Sequence, residues 1–172
     1  MRSTDLLSDA FGRVREDVHA AVQGLTEEQL AVRLDPDANS IGWLCWHLAR
    51  VQDDHLAAAF GTAQIWHQPT WVQWADRFAL TVGDIGYGHS SKQVGRVQAP
   101  GGMLTGYLDA VHAQTLRLIA DITDDDLDRV VDERWDPPVT LGVRLLSVIS
   151  DCLQHAGQAA FIRGVVLRRS PR

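Results

Sequence analysis

The chain has 172 residues, 45% of them hydrophobic and 22% charged, and 16 basic against 22 acidic side chains give a formal net charge of −6. That length suits one domain, residues 1–172, with its own core. The acidic balance excludes the basic footprint that nucleic acid or anionic lipid requires. No run of about 18 apolar residues is present, and residues 1–17 interleave charges where a secretory leader is apolar, so a soluble cytoplasmic protein with no membrane partner is expected. Cys45 and Cys152 are too few for a disulfide framework and read as reduced thiols. Lys92 is the only lysine and Asn39 the only asparagine beside fifteen arginines, the usage of a GC-rich bacterial genome.

Taken in chain order, the apolar spacing predicts four long helices and no strand. The first covers residues 4–23, with Phe11, Val14, Val18 and Val22 on one stripe and Gly24 as its stop. Thr26 and Gln29 have capping-box spacing for one short turn, and residues 31–40, with Pro36, read as a loop. Asn39 and Ser40 are good N-caps for a second helix ending at Gly61. The pattern weakens over residues 62–102, a long connection in which Ser90 and Gln93 cap a short helix. Trp66, Trp71 and Trp74 there read as a plug on the bundle, with an aromatic ligand wall as the alternative.

A third helix is expected over residues 103–122. A short one follows Thr123, where Asp124, Asp125 and Asp126 suit the positive end of a helix dipole. Pro137 and Pro138 break the chain, and Thr140 opens a last helix over residues 141–163 that Gly164 ends, leaving a frayed tail from Arg168 to Arg172. The sum is an all-α four-helix bundle with a long crossover between the second and third helices.

The chemistry concentrates on the last helix. Asp151 and His155 are four residues apart and so share a helix face one turn apart. His47 lies in the apolar run W-L-C-W-H-L, where a solvated imidazole is out of place. If those helices are neighbours, two imidazoles and a carboxylate meet inside the bundle and leave a fourth position open on a divalent metal, the pattern of a catalytic rather than a structural site. The plainer reading is a surface Asp–His salt bridge and a hydrogen-bonded core histidine. Cys152 can reach the same face, although a buried structural thiol is the commoner fate of an isolated cysteine. Asp54, two turns beyond His47, is a candidate substrate contact or a solvated helix end. Arg144, two turns before Asp151, can grip a substrate carboxylate or snorkel outward. Gln158 can bond a ligand or its own helix. The G-Y-G-H-S run with Tyr87 and His89 is a loop at the rim of the site.

The stretches S-I-G-W-L-C-W-H-L-A-R-V-Q-D-D-H and P-P-V-T-L-G-V-R-L-L-S-V-I-S-D-C-L-Q-H-A-G-Q-A-A-F-I-R-G resemble the DinB-like superfamily of four-helix metalloproteins. Their nearest likeness is to its actinobacterial branch of mycothiol-dependent S-transferases, over nearly the whole chain. The resemblance implies up-down-down-up topology and one metal, usually zinc, held by His47, Asp151 and His155. An acidic ligand is also the pattern of mycothiol-dependent maleylpyruvate isomerases. Those isomerases carry a further C-terminal domain that this chain lacks, so simple transfer is the expectation. It implies mycothiol as co-substrate, its metal-bound thiolate attacking an electrophilic small molecule, in detoxification. The alternatives are metal-assisted hydrolysis by bound water, an iron site of the two-histidine, one-carboxylate kind, and a non-catalytic small-molecule-binding bundle. Bundles of this kind often pair through helix faces, which leaves a homodimer open as an assembly, but no stripe in the sequence singles out an interface.

Overall fold

The computed structural model describes residues 1–169; Ser170, Pro171 and Arg172, the end of the expected tail, lie outside the described residues. In chain order the elements are α1 (Ser3–Val22), α2 (Glu27–Leu30), α3 (Ile41–Phe60), a 3-10 turn at Ile65–His67, α4 (Pro69–Phe78), α5 (Ser91–Val94), α6 (Gly101–Ile119), a second 3-10 turn at Asp125–Asp128, β1 (Val130–Asp132), β2 (Val139–Thr140) and α7 (Leu141–Arg169). The long helices α1, α3, α6 and α7 form the bundle, and α3 and α1 sit on its diagonal, each packed between α6 and α7.

Cross-helix hydrogen bonds fix the directions. Ser3 at the start of α1 meets Asp124 beyond the end of α6, and Arg15 meets Asp109, so these two helices are antiparallel. Arg163, late on α7, donates to the Ala21 carbonyl at the end of α1, so α7 runs with α1. Gln52 bonds Thr115 and Arg50 bonds Tyr107, so α3 runs with α6. The order is up-down-down-up, with residues 61–100 as the crossover.

Local chemistry accounts for the helix ends. The Ser40 hydroxyl accepts from the Trp43 N–H at 3.1 Å, and Gly61, at φ 65°, closes α3 in the left-handed region that glycine tolerates. Thr26–Gln29 and Ser90–Gln93 both form reciprocal capping boxes. The crossover wraps α3, which therefore buries 16 of its 20 residues, whereas α7 buries nine of 29 along one face.

Four expectations change. The α4 helix lies inside the stretch read as irregular: Pro69 opens it, and Trp71, Trp74, Ala75 and Phe78 have i, i+3, i+4, i+7 spacing. Its tryptophans do plug the bundle, with Trp66 fully buried and Trp71 and Trp74 packed on the core. A two-stranded antiparallel hairpin pairs Val130 with Thr140 and Asp132 with Val139, too short for alternation to show in sequence. The helix α6 ends at Ile119 rather than at 122. Gly164 does not stop α7. Val166 beyond it is 4% exposed in the core, and its burial outweighs the roughly 1 kcal/mol cost of a mid-helix glycine. Among the described residues no helix is long and apolar enough to cross a membrane.

Candidate metal centre

Antiparallel packing of α3 on α7 brings His47, Asp151 and His155 together, with one ligand atom from each lying within 4.8 Å of the others. His155 Nε2 is 3.6 Å from Asp151 Oδ1, and the two imidazole rings meet edge to face at 4.8 Å between centroids. His47 is buried and Asp151 and His155 are half-buried, with His47 and Asp151 lining a cavity of about 210 Å³. The cavity runs from His47 and Asp151 past Val51, Val148 and Ile85 to His55 and Arg144.

Each imidazole is oriented through its other nitrogen. His47 Nδ1–H donates to the Ile85 carbonyl, and His155 Nδ1–H donates to Gln158 Oε1 at 3.2 Å. With Nδ1 so engaged, each ring keeps its Nε2 for a cation, the orientation in which a metal ligand is held from behind. Burial lowers the pKa of His47, which keeps it the neutral donor that a cation requires. Asp151 Oδ2 is buried without a hydrogen-bond partner. A carboxylate with one buried oxygen left without a donor and the other 3.6 Å from an imidazole nitrogen is an arrangement that a divalent cation satisfies and that these side chains do not satisfy among themselves.

Behind His47 lies a support that sequence reasoning missed. Trp43, one turn earlier on α3, stacks on its ring at 4.6 Å with 17° between planes. Trp43 Nε1–H donates to His89 Nδ1 at 3.2 Å, and the His89 ring stacks in turn on Trp46. Gly86 follows the accepting carbonyl with φ +96°, and a Cβ there would stand 2.5 Å from His47 Nδ1, so only glycine passes. Arg50 is fully buried; its Nε donates to the Asp84 carbonyl at 3.1 Å and its Nη1 to Gln64 Oε1 at 2.9 Å, tying the start of the crossover to its middle. Its charge is matched by Asp53 at 3.5 Å, which also takes the N–H groups of Ile65 and Trp66 and the Tyr107 hydroxyl. Sequence did carry two clues: Trp43 and His47 are spaced i, i+4, and Arg50 interrupts an otherwise buried apolar run.

The remaining candidates separate. Arg144 lines the cavity, but its guanidinium is engaged by Asp132 Oδ2 at 2.9 Å and by His55 Nδ1 at 3.0 Å. A guanidinium only donates, so His55 Nδ1 accepts and its proton sits on Nε2. Burial first, then the Arg144 charge, lowers the His55 pKa. The Arg134 side chain, then its backbone N–H, holds the Asp132 carboxyl well below the usual range. Asp54 does not line the cavity; its Oδ1 accepts from Gln64 at 2.8 Å. Gln158 stands behind His155. Cys152 points away from the centre, its buried thiol directed at the Leu48 carbonyl and its pKa raised by burial, and Cys45 is likewise buried and pushed up to about 12.

An up-down-down-up helical bundle whose second and last long helices converge two histidines and an aspartate on one point is a DinB-like fold with a candidate metal centre. The chain belongs to the mycothiol-S-transferase family, whose model matches residues 6–166. It is also similar to a solved structure described as a conserved protein from Enterococcus faecalis, at 31% identity and a TM-score of 0.85 over 98% of this chain and 99% of that one. No curated protein matches the chain.

Proposed function

We propose that the protein joins the sulfur of a low-molecular-weight thiol, mycothiol, to an electrophilic carbon of a small molecule in the cytoplasm, with zinc as the resident ion. The observation that carries this reading is the convergence of Asp151, one of whose oxygens is buried without a partner, with two fixed imidazoles beside a cavity, in a chain of this family. His47, Asp151 and His155 are the three residues that would hold a divalent metal. Bound there, such an ion supplies the Lewis acidity that keeps a thiol, with a free pKa near 8.5, ionised at neutral pH.

The rest falls to the chain's own side chains. His47 and His155 contribute neutral nitrogen, their tautomers set by the Ile85 carbonyl and Gln158. Asp151 brings the single negative charge, so a centre of this composition stays electron-poor. Val51, Val148 and Ile85 form an apolar wall. His55 Nε2–H and the Ser147 hydroxyl offer neutral hydrogen bonds to the polar part of the thiol or its acceptor, and Arg144 is the expected substrate contact that lies at the cavity. In the overall reaction a carbon–sulfur bond forms, the electrophile's leaving group departs with its bonding electrons, and the thiol proton goes to solvent. Purified protein assayed with a fluorogenic electrophile tests the proposal. Turnover is expected only with added thiol, mycothiol best; equal turnover without thiol would point instead to hydrolysis by bound water.

A further inference from the structure

We infer, independently of the functional proposal, that the outward face of α7 is an interface between two copies of this chain, paired antiparallel about a two-fold axis. The exposed face of α1 is charged, showing Asp5, Asp9, Arg13, Glu16 and Asp17 to solvent. The fully exposed residues of α7 from Leu146 to Phe161 carry no charge, and the half-exposed Asp151 of that stretch lines the cavity. Leu146 and Phe161 are 67% and 66% exposed, and Val143, Leu153 and Leu167 are also open to solvent. An apolar strip of this kind, depleted of charge, is the composition of an interface core rather than of a solvated surface.

Two features select a second copy as the occupant. The first is shape. Apolar and small residues alternate three and four apart along the whole strip, the spacing of a helix-pairing seam. Gly157 stands in the middle of a helix, and a Cβ added there would meet nothing within 4 Å, so no contact inside the chain requires glycine, although it weakens the helix. A single antiparallel register sets Leu153 against Gly157 of the partner subunit, Leu146 against Gly164 of the partner subunit, and Val143 against Leu167 of the partner subunit. Gly157 then receives a leucine directly and Gly164 receives one where the flexible Arg168 side chain beside it swings aside, and the same pairs recur on the other side of the axis, as an isologous contact demands.

The second feature is charge. A two-fold contact sets a face against itself, so only a neutral strip avoids like-charge contact. The ends carry opposite signs: exposed Arg168 and Arg169 finish α7, while the hairpin that precedes it exposes Glu133 and Asp136 around Arg134, whose charge is matched by the buried Asp132. Antiparallel pairing brings each basic end beside the other copy's acidic end. A helix of 29 residues is about 44 Å long, and a strip one helix wide buries roughly 1,000 Å² over both copies, the lower bound for a specific interface. A dimer of micromolar rather than nanomolar strength follows.

Sedimentation velocity of the full chain from about 1 to 200 µM is the test. The expected result is a concentration-dependent shift from monomer to dimer, weakened at least tenfold by Leu153→Glu. Gly157→Leu separates the interface from the fold: it removes a mid-helix glycine, so the Tm rises by roughly 2–4 °C, while the dimer is lost. A wild-type protein still monomeric at 200 µM, or a dimer equally strong in both variants, would overturn the inference.

Discussion

The two halves of the candidate metal centre are built to different standards. The α3 half is enclosed: His47 is buried, stacked on Trp43, bonded to the Ile85 carbonyl, passed by Gly86 and backed by the Arg50 clamp. The α7 half is open: Asp151 and His155 lie half-exposed, with Gln158 as the one side chain bonded behind them. The difference follows from where the helices sit. The crossover wraps α3 and supplies carbonyls and aromatic faces, whereas α7 meets the core on one side only. Rigidity on one side and access on the other suit a centre that must hold an ion and still admit a substrate.

Substitutions can break that contrast. Gly86→Ala drives a Cβ into the His47 ring at a backbone angle alanine resists, and metal affinity should fall about 10–100-fold in a chelator competition. Gly88→Ala, at φ +71° with nothing within 4 Å, provides the control: roughly 1–2 kcal/mol of stability lost and affinity retained. Arg50→Lys keeps the buried charge opposite Asp53 but cannot span Asp84 and Gln64 together. The loop that presents the Ile85 carbonyl should loosen, lowering metal affinity about tenfold, and hydrogen exchange at residues 84–86 should speed up. Gln158→Ala should cost only a few-fold in affinity, because water can replace its amide on the half-exposed side. A loss as large as that of Gly86→Ala would show that the two halves are supported alike.

The gentlest probe is pH. Burial lowers the pKa of His47 in the folded chain, and His55 and His112 shift the same way. The unfolded chain therefore takes up protons first as pH falls below about 6.5, and stability is lost through the window between that value and the depressed ones. The Tm of metal-free protein should be level above about pH 7 and decline below 6.5. A Tm that stayed level down to pH 5 would contradict the buried, neutral state of these imidazoles.

The sequence made the three candidate ligands legible because their signals are local. Asp151 and His155 sit one helical turn apart, and His47 is conspicuous in an apolar run. The long helices were legible for the same reason, whereas their up-down-down-up direction was implied only by the family resemblance. What holds the ligands was not legible. The acceptor for His47 is a backbone carbonyl, which no side-chain pattern marks, and it is placed by a crossover whose path depends on a buried arginine. The α4 helix was masked by its tryptophans, which read as a plug before they read as a stripe. The outward strip of α7 was hidden by composition: Leu153 and Leu145 look alike in sequence, and only the fold shows that one faces solvent.

Metal content per chain, measured on protein purified without added zinc, with His155→Ala beside it, tests the central claim most directly. The account predicts one equivalent of a divalent metal in the wild-type protein and a loss of stoichiometric metal in the variant, with its helical circular dichroism unchanged. A His155→Ala protein that retained full metal, or a wild-type protein that bound none from a zinc-containing buffer, would contradict it.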